Sequence, residues 1–187
     1  GEEHRGIKHS KTNVSCMLMT SYTIEPEVTM PVYRSVFKAA EIARDGATIV
    51  ASVVDGSDER LIRQLFAASR ICNPDADVEL ILDRIPGTGK RDALARSLQL
   101  IARQAPTAHD IVIFVDGDSC VPQDLVARAA PVFTDPKVGA LTTDEAVDIP
   151  KPGLFRDWFS LRFDQRQVMM CSMGLSKRVL TLAGRIS

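Results

Sequence analysis

Two carboxylates stand two residues apart in the segment Val115–Ser119, which reads VDGDS. Asp116 and Asp118 follow an apolar run, and the glycine between them lets the backbone bend so that both can face one cation. Such oxygen ligands suit Mg²⁺ or Mn²⁺, which would take further ligands from water and phosphate oxygens. Because Asp-Gly-Asp is also a common turn sequence, the pair predicts a metal site only together with its neighbours.

Two cationic side chains follow a glycine-rich loop earlier in the chain. Lys90 and Arg91 come directly after Gly87 and Gly89, at the start of a predicted helix. The free N–H groups of a helix start favour anions, so this segment predicts a diphosphate site. A P-loop is excluded, because its first glycine and its Ser or Thr are replaced by Arg84 and Arg91.

The elements that position these residues alternate between strand and helix. Apolar and β-branched runs predict strands, and apolar residues at helical spacing predict helices. Helix starts are predicted at Pro31, Ser57 and Pro122. The predicted strands cover 13–20, 47–54, 78–82, 111–115 and 138–142, and further predicted helices cover 90–104 and, as a long amphipathic helix, 155–173. This order predicts an α/β sandwich with a mainly parallel central sheet.

In a parallel sheet, ligands bind beyond the carboxyl ends of the strands. The polar residues at those positions are therefore expected to converge on one edge. They are Tyr22, Asp55, Lys90, Arg91, Asp116 and Asp118.

Composition and charge narrow the class of protein. The chain has 187 residues, of which 45% are hydrophobic and 25% charged, which is typical of a globular domain. The net charge of −1 argues against a nucleic-acid partner, which would favour a basic surface. The four cysteines form no C-x-x-C pair and predict reduced, mostly buried thiols rather than a zinc site. No G-x-G-x-x-G follows the first strand, which argues against a dinucleotide oxidoreductase.

Taken in order, these motifs resemble one family. The loop after the first strand, the aspartate after the second, GKRDAL at Gly89–Leu94 and the aspartate pair are similar to the membrane-embedded family 2 glycosyltransferases, which have a Rossmann-like GT-A fold. Longer strings, such as IPGTGKRD at Ile85–Asp92 and MCSMGLSKRVLTLAGRIS at Met170–Ser187, are similar to the mannuronan synthases of alginate biosynthesis.

The resemblance implies a role for each candidate residue. Asp55 would contact the base or ribose of a nucleotide-diphosphate sugar, and Lys90 and Arg91 would lie near its diphosphate. Asp116 and Asp118 would bind the donor and Mg²⁺ or Mn²⁺. Tyr22 would also lie in the donor site, and the residues implied on the acceptor side are Trp158, Gln165 and Arg166.

Two features of the family are not found at the expected place. A T-E-D motif supplies the catalytic base in the family, but Thr143–Glu145 comes before the long helix and therefore too early. We expect the base, a Q-x-x-R-W motif and transmembrane helices beyond Ser187. The expected organisation is a polar lead-in at 1–12 and a C-terminally truncated GT-A core at 13–187, soluble here and at the cytoplasmic face of the inner membrane in the intact protein.

The resemblance implies an inverting enzyme that builds β-1,4 mannuronan from GDP-mannuronate on a growing polysaccharide acceptor, next to membrane partners. Two alternatives remain open. The chain could belong to a β-glycan synthase that uses a UDP-sugar, or it could be a catalytically inactive module that binds a nucleotide sugar.

Overall fold

The computed structural model describes residues 15–20, 25–43, 46–87, 89–143 and 152–175, with the backbone alone for the first of these ranges. The strands are β1 (Ser15–Thr20), β2 (Ala47–Val53), β3 (Val78–Arg84) and β4 (Val112–Asp116). The helices are α1 (Pro26–Glu41), α2 (Gly56–Cys72), α3 (Lys90–Arg103), α4 (Leu125–Ala129) and α5 (Leu154–Leu175), and a short 3-10 helix lies at Ala130–Thr134.

The chain divides into two compact units, Gly1–Pro131 and Val132–Ser187. The first unit contains a four-stranded sheet in the order β3-β2-β1-β4, in which all three pairings are parallel. This confirms the predicted α/β class with a parallel sheet. The second unit contains α5, and the prediction of one GT-A core over 13–187 stays a prediction.

One face of the sheet carries α1 and α2. In β2, alternate side chains from Ala47 to Val53 are buried in a cluster with α1 residues such as Tyr33 and Phe37 and with Ile62 of α2. The rings of Phe37 and Phe66 lie 5.4 Å apart and join the two helices. This layer holds the start of α2, and with it Asp55, at the end of β2.

The opposite face carries α3. Val50 of β2 and Ile101 of α3 form a second buried cluster. The Ser52 and Ser97 hydroxyls are 2.7 Å apart, and both side chains are fully buried. Because β2 is buried on both faces, its sequence ATIVASV consists of apolar, small and β-branched residues without a charge, as is usual for central parallel strands.

Three predicted helix starts are wrong by a few residues. The first helix begins at Pro26, which places Pro31 inside it. The second begins at Gly56, because the Asp55 carboxylate accepts a hydrogen bond from Ser57 N–H and so acts as the N-cap. The helix expected at Pro122 begins at Leu125. A proline or a capping residue is compatible with the first turn of a helix, but it does not determine where the helix begins.

The strand predicted at 138–142 is wrong. These residues follow Asp135–Lys137 in irregular structure and pair with no described strand. Val138 and Leu141 gave the apolar signal, but Gly139 and Ala140 between them have low strand propensity. The long helix was predicted at nearly its observed bounds. Its apolar residues do not lie on a single stripe, because Leu154 and Phe163 are nine positions apart and so face opposite sides.

The prediction of mostly buried thiols is also wrong for the three cysteines whose side chains the structure describes. Cys72, Cys120 and Cys171 are exposed. Cys72 ends α2 and Cys120 lies in a loop, so neither has a neighbouring layer to cover it. Among the described helices, none combines the length and apolar character that a bilayer span requires.

Candidate active site

The candidate site lies at the carboxyl ends of the strands in the first unit. Asp55 follows β2, Arg84 ends β3 and Asp116 ends β4. Since the strands are parallel, these residues share one edge of the sheet, as the sequence predicts for Asp55 and Asp116. Tyr22 follows β1 and falls outside the described residues, and so do Asp144 and Glu145 of the T-E-D-like segment.

Strand alternation determines which face of the sheet each carboxylate lies on. Asp116 is two residues from Phe114 and four from Val112, which packs in the cluster with α3. With a period of two, Asp116 therefore points to the α3 face. The ε-amino group of Lys90, the first residue of α3, lies on the same face.

Lys90 and Asp116 form the ion pair at the centre of the site. Lys90 Nζ donates a hydrogen bond to Asp116 Oδ1 at 2.5 Å, and the two side chains are 29% and 32% exposed. The pair is thus half-buried and in reach of a ligand, where it is screened less than an ion pair in open solvent. It joins two motifs that are 26 residues apart in the sequence.

Glycine conformations make the approach of Lys90 possible. Gly87 has φ +76°, and a Cβ at this position would lie 3.2 Å from Val54 Cγ1. Gly89, the N-cap of α3, has φ +120°. L-residues rarely adopt either conformation, so the loop needs glycine to start α3 where Lys90 can reach Asp116.

The remaining predicted cation and carboxylate are more exposed. Arg91 occupies the second position of α3 with its side chain in solvent. Asp118 is exposed in the turn after β4, where Ser119 Oγ donates to Asp118 Oδ1 at 3.4 Å and Ser119 N–H donates to Asp116 O at 3.0 Å. The structure thus brings Lys90 to Asp116 and presents Arg91 and Asp118 to solvent nearby in the chain.

Asp55 is an exposed carboxylate with a lowered pKa. The hydrogen bonds from Ser57 are the main cause, and the positive charge of Arg84 adds to them. A Cβ at position 56 would lie 3.5 Å from Arg84 Nη1, so the guanidinium rests against the first turn of α2. Asp55 is therefore an ionised acceptor next to a cation.

Sequence reasoning missed two charged residues of this edge. Asp58 is only 7% exposed, and burial, with the charge of Asp55 as a smaller cause, raises the pKa of its carboxyl. Arg84 was considered only as a mismatch to the P-loop. Arg84 comes two residues after the strand predicted at 78–82, which was a usable signal, whereas the burial of Asp58 depends on long-range packing.

The site offers few protein ligands for a metal ion. Within the described residues, no three His, Cys, Asp or Glu side chains cluster as a metal cage. Asp116 nevertheless holds a positive charge at 2.5 Å, since Lys90 Nζ is there. Two carboxylates completed by phosphate oxygens and water fit Mg²⁺ better than an all-protein site would.

The predicted acceptor-side residues lie in the second unit, on α5. Trp158 is 51% exposed, its ring contacts Phe159 with centroids 5.3 Å apart, and Arg162 lies 5.2 Å from its ring centre. Gln165 is exposed and Arg166 half-buried. Their role toward an acceptor stays a prediction.

Comparisons with known proteins match the chain to a protein family and to curated relatives. Residues 17–187 match the family described as "Glycosyltransferase like family 2". The chain is 41% identical over 172 residues to "Glycosyltransferase alg8" of Pseudomonas syringae pv. tomato, and 39% identical over 174 residues to the protein of the same name in Azotobacter vinelandii. Each match covers 91% of this chain and 34% of the relative, so the chain spans about a third of their length. By the extent of the family match, the chain belongs to the family 2-like glycosyltransferases.

Proposed function

We propose that the intact protein is an inverting glycosyltransferase that transfers mannuronate from GDP-mannuronate to a growing β-1,4-linked mannuronan, the precursor of alginate. The family membership supports sugar transfer from a nucleotide donor. The identity of 41% to a glycosyltransferase named alg8 supports the alginate assignment. The strings IPGTGKRD and MCSMGLSKRVLTLAGRIS point the same way.

The contact between Lys90 and Asp116 is the observation that carries this proposal. A nucleotide-diphosphate donor needs cationic groups at its phosphates and carboxylates that can hold a divalent ion beside them. The 2.5 Å contact puts one group of each kind at the same edge of the sheet. A solvated helix start would not require the lysine to lie against a strand-end carboxylate.

Asp116 and Asp118 would hold Mg²⁺ or Mn²⁺. Such an ion, when bound, neutralises the charge that develops on the diphosphate leaving group. Lys90 would donate charge-assisted hydrogen bonds to phosphate oxygens, and Arg91 and the free N–H groups at the start of α3 would add to the positive field. These groups stabilise charge that grows as the sugar–phosphate bond breaks, so they favour the transition state over the bound donor.

The acceptor hydroxyl would attack the anomeric carbon from the side opposite the diphosphate, and its proton would pass to a carboxylate base. We assign that base to no described residue. Trp158, Gln165 and Arg166 would contact the acceptor sugar. The intact protein would work at the cytoplasmic face of the inner membrane with membrane partners.

Replacing Asp118 by asparagine tests the metal assignment. With Asp118→Asn, calorimetry should show the Mn²⁺-dependent part of GDP binding lost, with affinity lower by roughly tenfold or more, about 1.4 kcal/mol. Asp124→Asn, an exposed carboxylate just after the site, is the matched control and should bind as the parent does. Unchanged Mn²⁺-dependent binding by Asp118→Asn would rule out this metal site.

A further inference from the structure

Arg84 lies on the same side of the sheet as Asp55. In the register of β2 and β3, Arg84 is paired with Val53. Paired residues of neighbouring strands point to the same face, and Asp55 follows Val53 by two positions. Asp55 and Arg84 therefore present a carboxylate and a guanidinium side by side at the ends of adjacent strands.

Arg84 differs from two nearby arginines, Arg96 and Arg63, in its ion pairing. Arg96 forms a bidentate pair with Asp83, with both N···O distances at 2.9 Å, and Arg63 pairs with Glu59 at 2.8 Å. Within the described part of the chain, Arg84 makes no such ion pair. Its guanidinium rests against Gly56 and is close enough to Asp55 to lower the pKa of that carboxyl, without forming a salt bridge to it.

The guanidinium of Arg84 lies beside Gly56 at the start of α2. The guanidinium carbon of Arg84 would lie 3.7 Å from a Cβ at position 56, and the two terminal nitrogens 3.5 Å and 3.7 Å from it. These are ordinary van der Waals distances, so the guanidinium packs against the first turn of α2 without strain. The guanidinium of Arg84 thus packs against the backbone at Gly56. Because Arg84 is exposed, its N–H donors remain accessible to a ligand.

The pair of groups matches one nucleobase better than another. Guanine presents two neighbouring donors, N1–H and N2–H, and then two neighbouring acceptors, O6 and N7. A carboxylate can accept both donors, and an arginine can donate to both acceptors. Uracil presents a single N–H between two carbonyl oxygens, so a carboxylate can accept only N3–H and an arginine can donate only to O4, and the pair makes fewer hydrogen bonds with uracil than with guanine.

We propose that Arg84 and Asp55 form a base-reading subsite that selects guanine, with Asp55 accepting from N1–H and N2–H and Arg84 donating to O6 and N7. The proposal rests on the function proposed above and adds the residues that choose its donor. Arg84 is the specificity-determining residue, because a carboxylate alone can bind either base through an N–H group.

The test is a set of calorimetric titrations with Mn²⁺ present. Arg84→Gln removes the charge and Arg84→Lys keeps it without the bidentate fork. Both should lower GDP affinity by roughly tenfold, the effect of one good bidentate base contact, and should lower UDP affinity less, because uracil offers the arginine O4 without a neighbouring N7. Arg63→Gln, an exposed arginine paired on the surface of α2, is the matched control and should bind GDP as the parent does.

A modified base separates base reading from simple attraction of charge. The diphosphate of 7-deazaguanosine has a C–H group in place of N7, so the parent protein should bind it more weakly than GDP, and Arg84→Gln should bind the two equally. Equal losses of GDP and UDP affinity in both variants, or no loss at all, would overturn the subsite. Neither result touches the metal test with Asp118→Asn, so the two proposals fail separately. UDP preferred by the parent protein would overturn guanine selection together with the GDP donor of the proposed function, and would leave the metal site to its own test.

Discussion

Asp58 is a buried carboxylate on whose charge local and tertiary effects act in opposite directions. Its position in the first turn of α2 favours a negative charge because of the helix dipole. Its side chain is nevertheless only 7% exposed, and burial raises the pKa of its carboxyl above the ordinary value of 3.8. Ionised Asp58 therefore destabilises the folded state at neutral pH. Local sequence rules favour this residue, whereas the tertiary environment opposes its charge.

Replacing Asp58 by asparagine should stabilise the chain at neutral pH. Because the folded-state pKa is raised, the cost of the charge is present above that pKa and absent below 3.8, where the carboxyl is protonated in both states. We expect a gain on the order of 1 kcal/mol at pH 7, the usual size of a favourable substitution, that vanishes as the pH falls toward 3.8.

Urea unfolding of Asp58→Asn at several pH values measures this gain directly. Asp75→Asn, an exposed carboxylate in the turn after α2, is the control and should leave the unfolding free energy unchanged. A loss of stability at pH 7 in Asp58→Asn would mean that the carboxylate charge is stabilised in the fold.

The sequence predicted the location of a residue correctly where that location depends on its position along a strand. Asp55, Lys90 and Asp116 were predicted at the strand-end edge and lie there, because a parallel sheet collects its strand ends at one edge. The direct contact of Lys90 with Asp116 was not predicted, since it depends on how α3 crosses the sheet. Arg84 was missed because its significance comes from its register with Val53.

At the scale of elements, one pair of buried hydroxyls holds α3 against the sheet. Ser52 of β2 and Ser97 of α3 are both fully buried, with their oxygens 2.7 Å apart, and Ser52 Oγ also donates to Ala93 O at 3.4 Å. The pair joins β2 to α3, the helix whose first residue is Lys90. Its contribution is therefore to the placement of that helix as well as to stability.

Replacing Ser97 by alanine should destabilise the chain by about 1–2 kcal/mol, because the buried Ser52 hydroxyl loses its best partner. Thermal unfolding should show a midpoint lower by roughly 2–8 °C. The double variant Ser52→Ala with Ser97→Ala should cost less than the sum of the two single variants, since no hydroxyl is then left unpaired. Additive losses would contradict the account of the pair.

The prediction of elements succeeded where burial leaves a strong pattern. The apolar runs of β2 and β4 and the helical spacing of α3 reflect the burial of these elements in the fold. Their predicted bounds were nearly right. Errors arose where the signal was local. Pro31 and Pro122 suit a first turn, yet the helices begin at Pro26 and Leu125 without a side-chain capping hydrogen bond. The segment Val138–Thr142 pairs with no described strand.

At the scale of the whole molecule, the chain matches one part of each curated relative. It spans about a third of the relatives it matches, and α1 to α4 with the sheet form a unit that already contains the edge with Asp55, Lys90 and Asp116. Donor binding can therefore be measured on this chain alone. We propose polymer formation for the intact protein only.

The most direct test of the donor site is a calorimetric titration of this chain with GDP and with UDP, each with and without Mn²⁺. The account predicts that GDP binds, that Mn²⁺ strengthens its binding by roughly tenfold or more, about 1.4 kcal/mol, and that UDP is clearly weaker. GDP binding that is unaffected by Mn²⁺ and no tighter than that of UDP would contradict it.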